Sequence, residues 1–181
     1  TIARRVVRIV AAVRRSGDPA VLRYARRFDQ LVAPAEVSRD EMQSGLSAID
    51  PTLRTALRTS AKHIRRIARR QVPRAWRTAV VPGVEIEQRV SPLNRVGCYV
   101  PAGRYPFPSS LLMTAIPAQV AGVTETIVMC PRPDPTVLAA AAIANVTRLF
   151  RLGGAQAIAA LAYGTGTIPK VDKIVGPGSV Y

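Results

Sequence analysis

Histidine, cysteine and lysine are nearly missing from this chain: one His, two Cys and three Lys occur in 181 residues. Two cysteines cannot build a disulfide scaffold or a four-cysteine zinc site. The lone His63 has no second His and no nearby Cys, so neither a metal-ligand nor a general-base role is expected of it. Long apolar runs are also absent. The richest stretch, 137–146, is too short and too alanine-rich to span a bilayer. The opening Thr1-Ile2-Ala3-Arg4-Arg5 has no initiator Met, apolar signal core or cleavage pattern, so a cytoplasmic piece of a longer protein is expected. Catalytic signatures are as scarce. There is no G-x-G-x-x-G, no G-x-S-x-G elbow, no Walker lysine loop and no H-E-x-x-H.

What is present is ordinary globular material. Hydrophobic residues make up 48% and charged ones 20%, which argues against disorder. A chain of this length can bury roughly 70% of its unfolded surface without a covalent staple. The formal charge is +15, and its distribution is uneven. Residues 1–78 carry 18 basic against 6 acidic side chains; residues 79–181 carry 8 against 5. Of the 26 basic residues 23 are Arg, a bias that fits a GC-rich coding sequence.

The N-terminal region reads as helices. Ile2, Val6, Ile9, Val10 and Val13 recur at helical spacing up to Ser16-Gly17. Asp18-Pro19 predicts a cap and first turn for a helix with Val21, Leu22, Ala25 and Phe28 inward. Ser38 and Glu41 have capping-box spacing ahead of Met42, Leu46 and Ile49. Asp50-Pro51 opens a long helix to about Gln71 with Leu53, Leu57, Ile64 and Ala68 on its apolar stripe. Arg54, Arg58, Lys62, Arg65 and Arg69 fall on the opposite side. That row is either a phosphate-binding face or the solvated back of an amphipathic helix. No aromatic interleaving, zinc-finger spacing or ribonucleoprotein motif accompanies it, so nucleic acid is not the expected partner.

Beyond Pro73 the period changes. Val84, Ile86, Gln88 and Val90 alternate with Glu85, Glu87 and Arg89, predicting a hairpin or edge strand with one wet face. From Arg95 short apolar runs alternate with helical stretches. Strands are predicted over 96–100, 126–130, 149–152 and 171–175. Ser109 is the expected cap of the first intervening helix, in which Pro117 should make a kink or break. The pattern is that of an α/β protein, a Rossmann-like doubly wound parallel sheet preceded by an N-terminal helical region. The expected organisation is helices over 1–78, a connecting strand or linker over 79–94 and an incomplete Rossmann-like domain over 95–181.

In such sheets ligands sit at the carboxyl ends of strands. Here those ends are Pro101-Ala102-Gly103, Gly153-Gly154-Ala155-Gln156 and Gly176-Pro177-Gly178-Ser179. The Gly153-Gly154 turn opens a helix whose free N–H groups favour an anion. Ser109 and Ser110 lack a nearby His to activate them. Cys98 and Cys130 fall in predicted buried strands, where inert packing is expected. Asp172 and Lys173 are expected to pair.

The run Arg95-Val96-Gly97-Cys98-Tyr99-Val100-Pro101-Ala102-Gly103 closely resembles histidinol dehydrogenase. So do Pro108-Ser109-Ser110 to Met113 and Ala115-Ile116-Pro117-Ala118-Gln119-Val120-Ala121-Gly122. The likeness continues through Gly153-Gly154-Ala155-Gln156-Ala157-Ile158-Ala159-Ala160-Leu161-Ala162-Tyr163-Gly164-Thr165 and ends in Pro169-Lys170-Val171-Asp172-Lys173-Ile174-Val175-Gly176-Pro177-Gly178. Ser16-Gly17-Asp18-Pro19-Ala20 and Phe28-Asp29 resemble the family's N-terminal region more weakly. The match covers the whole chain but less than half of a family member.

The resemblance implies an NAD-dependent, zinc-containing homodimer that oxidises L-histidinol through an aldehyde to L-histidine. It maps NAD contacts onto Tyr99 and Gln156. A third falls on Ser179, where the family has Asn; serine keeps a hydroxyl but loses the amide's two-ended reach. The family's zinc ligands and its Glu–His acid–base pair lie downstream of Gly-Pro-Gly. No catalytic residue and no metal ligand is therefore assigned to this chain, and NAD binding by it alone is expected to be weak. Two other readings remain: a truncated, non-catalytic paralogue acting as a binding partner, and a basic nucleic-acid-binding module.

Overall fold

Local chemistry delimits the first helices of the computed structural model, which describes residues 1–103 and 105–178. α1 (Ile2–Ser16) stops at Gly17, and α2 (Asp18–Phe28) follows with Pro19 in its first turn. Asp18 does not cap α2 as expected. Gly17 occupies that position, and the Asp18 carboxylate accepts the Thr167 hydroxyl at 2.9 Å. α3 (Arg39–Ala48) has the predicted capping box: Ser38 Oγ accepts the Glu41 N–H and the Glu41 carboxylate accepts the Ser38 N–H, each at 3.1 Å. α4 (Pro51–Gln71) starts at Asp50, whose carboxylate accepts the N–H groups of Thr52 and Leu53. Those bonds, the Thr52 one foremost, hold the Asp50 carboxyl below its ordinary 3.8. Its buried stripe is Leu57, Ala61 and Ala68; Leu53 lies exposed and Ile64 half-buried.

Glu36–Val37, between α2 and α3, form β1, a strand with no signal in the sequence pattern. After α4 come β2 (Trp76–Val81) and β3 (Val84–Gln88), an antiparallel hairpin in which Arg77 and Glu85 pair across the strands. Every residue of both strands is exposed. The predicted dry face of Val84 and Ile86 therefore has no covering layer among the described residues, although the alternation itself is there.

The remaining chain alternates strictly: β4 (Arg95–Tyr99), α5 (Pro108–Val120), β5 (Glu125–Met129), α6 (Pro135–Ala144), β6 (Arg148–Phe150), α7 (Gly154–Tyr163) and β7 (Lys173–Val175). The four strands are parallel and β1 adds antiparallel at the edge, giving the order β1-β6-β5-β4-β7. Arg148 clamps β1 to β6 with two bonds to Glu36, at 2.6 and 2.7 Å. Helix α5 starts at Pro108 without a side-chain cap, so Ser109 lies inside its first turn. Pro117 neither ends nor breaks it, although its missing N–H leaves the Met113 carbonyl without its intrahelical bond. Asp134 caps α6 through the Val137 N–H at 2.9 Å.

Helices cover both faces. On one, Met42, Leu57, Leu112 and Ile116 pack with Val128 and Leu149. There α3 and α6 approach so closely that a Cβ on Gly45 would overlap that of Leu138. On the other face Val13, Val21 and Ala25 pack with Met129, Phe150 and Leu161. The N-terminal helices thus complete the cores of the sheet. From β4 the chain winds outward to β6, then α7 returns it to β7 on the opposite flank of β4. That reversal puts a topological switch point between β4 and β7, where a doubly wound sheet opens a crevice.

Candidate functional site

Three strand ends converge on the crevice. Tyr99 closes β4, and its half-buried ring reaches the turn after β6. Its hydroxyl oxygen accepts the Gly154 N–H at 3.1 Å, joining residues 55 apart in sequence. Gly176, just after β7, lies against the backbone of Tyr99. Its φ is 140°, and a Cβ there would overlap the Tyr99 carbonyl oxygen, so only glycine lets the two strand ends meet. Of the three expected contact residues, Tyr99 and Gln156 are thereby brought to one turn. Ser179 lies outside the described residues.

Gln156 is 1% exposed, and its Nε2 donates to Asp29 Oδ2 at 3.0 Å. The same oxygen accepts the Gly153 N–H at 3.0 Å. Asp29 follows α2 and is itself only 8% exposed. Burial raises its carboxyl above the ordinary 3.8, while the bonds from Gly153 and Gln156 and the charge of Arg132 pull the other way. Sequence reasoning gave Asp29 no role in this turn. A single acid after a helix carries no local sign that it will meet a turn more than a hundred residues away. The free N–H groups expected at the Gly153-Gly154 turn are reduced by two: Asp29 takes the first and Tyr99 the second.

The polar groups at the turn have a defined sense. Having given one amide hydrogen to Asp29, Gln156 keeps its carbonyl oxygen as an acceptor and a second Nε2 hydrogen as a donor. Tyr99 accepts from Gly154 and still has its own hydrogen to donate.

Other sequence candidates stay apart from this chemistry. Cys98 and Cys130 are buried in the sheet core, and burial pushes their thiols up to about 11 and about 12. Both remain protonated and poorly nucleophilic at neutral pH. His63 is exposed on α4. Asp172 does not pair with Lys173 among the described residues; its carboxylate accepts the N–H groups of Asn94 and Arg95 at 2.8 and 2.9 Å and so fixes the start of β4. No three His, Cys, Asp or Glu side chains gather among the described residues where they could hold a metal ion. No helix there is long and apolar enough to cross a membrane.

Comparison with known proteins agrees with this fold. The histidinol dehydrogenase family model matches residues 1–181. The histidinol dehydrogenase of Aromatoleum aromaticum is 50% identical over 97% of this chain and 42% of its own length. That of Nitrosomonas europaea is 48% identical over 99% of this chain and 44% of its own. The crystal structure of histidinol dehydrogenase from Elizabethkingia anophelis superposes with a TM-score of 0.92 at 28% identity, over 99% of this chain and 43% of that one. The chain spans less than half the length of the relatives it matches. With the family model matching all 181 residues and relatives at 48–50% identity, the chain belongs to the histidinol dehydrogenase family.

Proposed function

We propose that this chain is the part of an NAD-dependent, zinc-containing L-histidinol dehydrogenase that builds the dinucleotide seat. The observation that carries this reading is the Tyr99–Gly154 hydrogen bond, which unites two strand-end motifs beside Gln156 at the switch point. Tyr99 and Gln156 fit the cofactor in kind, offering hydrogen-bond donors and an acceptor to the hydroxyl-bearing part of a nucleotide. Ser179 is the third proposed contact. Bound there, NAD would supply the hydride acceptor for two successive oxidations, L-histidinol to the aldehyde and, after water adds to it, the aldehyde to L-histidine. This chain's residues bind and orient the cofactor; Gly176 keeps β4 and β7 close enough to form the crevice wall.

Zinc is a different matter. The described residues do not fit it, since they bring together no donor cluster and both thiols are protonated. No step through the metal is assigned to them. The zinc ligands and the acid–base pair belong, on this reading, to the part of a cytoplasmic, homodimeric enzyme that these residues do not include. The purified 181-residue chain, freed of host enzyme, is accordingly expected to form no NADH from L-histidinol and NAD. Sustained NADH formation, abolished by Tyr99→Phe, would contradict this division of labour.

A further inference from the structure

We infer that Asp29 is the built-in anion of the α7 N-terminus, a positioning residue that excludes phosphate from the glycine turn and fixes which end of the Gln156 amide meets the cofactor. The inference rests on the dinucleotide reading above and deepens it.

The first four N–H groups of a helix have no partner within the helix, and dinucleotide-binding sheets commonly use them to seat a pyrophosphate. At α7 two of these four groups are already taken. Asp29 Oδ2 accepts the Gly153 N–H, and the Tyr99 hydroxyl accepts the Gly154 N–H. Both arrive from distant parts of the chain, α2 and β4, so this is a tertiary arrangement and not a local cap. A phosphate brought to the turn would meet a carboxylate and find two of the four N–H groups engaged. The charge of Asp29 and the two engaged N–H groups therefore disfavour the cofactor's phosphates here and leave this turn to the uncharged part of the nucleotide.

The same oxygen sets the sense of recognition. A glutamine amide can present either end to a ligand. At Gln156 a carboxylate can only accept, so it selects the Nε2 end for itself at 3.0 Å. With the amide held this way round, Oε1 is turned away from Asp29 as an acceptor suited to a ribose hydroxyl, beside the second Nε2 hydrogen. Because Gly153 and Gln156 share one Asp29 oxygen, an asparagine can in principle keep both bonds with its own Oδ1.

The test uses the full 181-residue chain, with Asp29→Ala and Asp29→Asn, in two titrations followed by amide NMR. In the first, inorganic phosphate is added. The wild type is expected to show no shift at Gly153 and Gly154, whereas Asp29→Ala, with the helix N-terminus reopened, shifts both saturably. In the second, NAD is added. Asp29→Ala is expected to weaken binding about 10-fold, the equivalent of about 1.4 kcal/mol, and to move the Gln156 side-chain amide signal in the free protein. Asp29→Asn should stay within about 3-fold of the wild type, since it keeps the acceptor. Phosphate shifts at the wild-type turn, or an Asp29→Ala variant with unchanged NAD affinity and unchanged Gln156 signals, would overturn the inference. If Asp29→Ala fails to fold, wild-type NAD affinity with an unmoved Gln156 signal in Asp29→Asn supports it, and a 10-fold loss there overturns it. A wild type that binds no NAD at all defeats the dinucleotide reading instead, while the phosphate titration still decides the role of Asp29.

Discussion

Phe150→Ala is expected to lower the unfolding free energy by about 3–5 kcal/mol, a large share of the roughly 5–15 kcal/mol that holds a domain of this kind together. The ring is 1% exposed at the end of β6, in the core shared with α1, α2 and α7. Removing it leaves a cavity on the face where N-terminal helices meet the sheet, so the loss should spread to α1 and α2. Denaturation followed by far-ultraviolet circular dichroism is the appropriate measurement. Fluorescence is a poor substitute, because the only tryptophan, Trp76, lies on the exposed hairpin. A loss below about 1 kcal/mol would mean that the helices and sheet do not form one core.

Gly176→Val is the second large effect. The position combines a φ of 140° with a Cβ direction that runs into the Tyr99 carbonyl oxygen. A β-branched residue must change the backbone there or push β7 from β4, at a cost of about 1–3 kcal/mol. The displaced end of β4 carries Tyr99, so NAD affinity should fall at least about 10-fold in parallel. Gly178→Ala is the internal control, since among the described residues a Cβ there meets nothing within 4 Å. Equal effects of the two substitutions on thermal unfolding would show that the close approach of β4 and β7 is not what requires glycine at 176.

Much of this architecture was legible in the residues because local signals agreed with the fold. The apolar runs around Val96, Val128 and Leu149 mark strands buried on both faces, and Ser38 with Glu41 marks a helix start through a bond that depends on four residues only. Resemblance supplied what pattern did not, the expectation that Tyr99 and Gln156 share one site; the Tyr99–Gly154 bond brings the Tyr99 ring to the turn that carries Gln156. The misreadings have a common cause, the diversion of a polar group to a distant partner. Asp18 reaches Thr167, Asp172 reaches the start of β4, and Asp29 takes an N–H of the turn expected to be open to an anion. Two-residue β1 was invisible for a related reason. Its place depends on the Arg148 clamp and the β6 edge, and no pattern of its own announces it.

The central claim is that the β4–β7 switch point, with Tyr99, Gln156 and the turn between them, seats NAD. Titrating NAD into the isotopically labelled chain while following every backbone and side-chain amide tests it most directly. The account predicts weak, saturable shifts at Tyr99, Gly154, Gln156 and Gly176, with a dissociation constant well above the micromolar range. Shifts confined to the arginine row of α4, weakening steeply as salt is added, would contradict it and turn attention to a polyanion as the ligand.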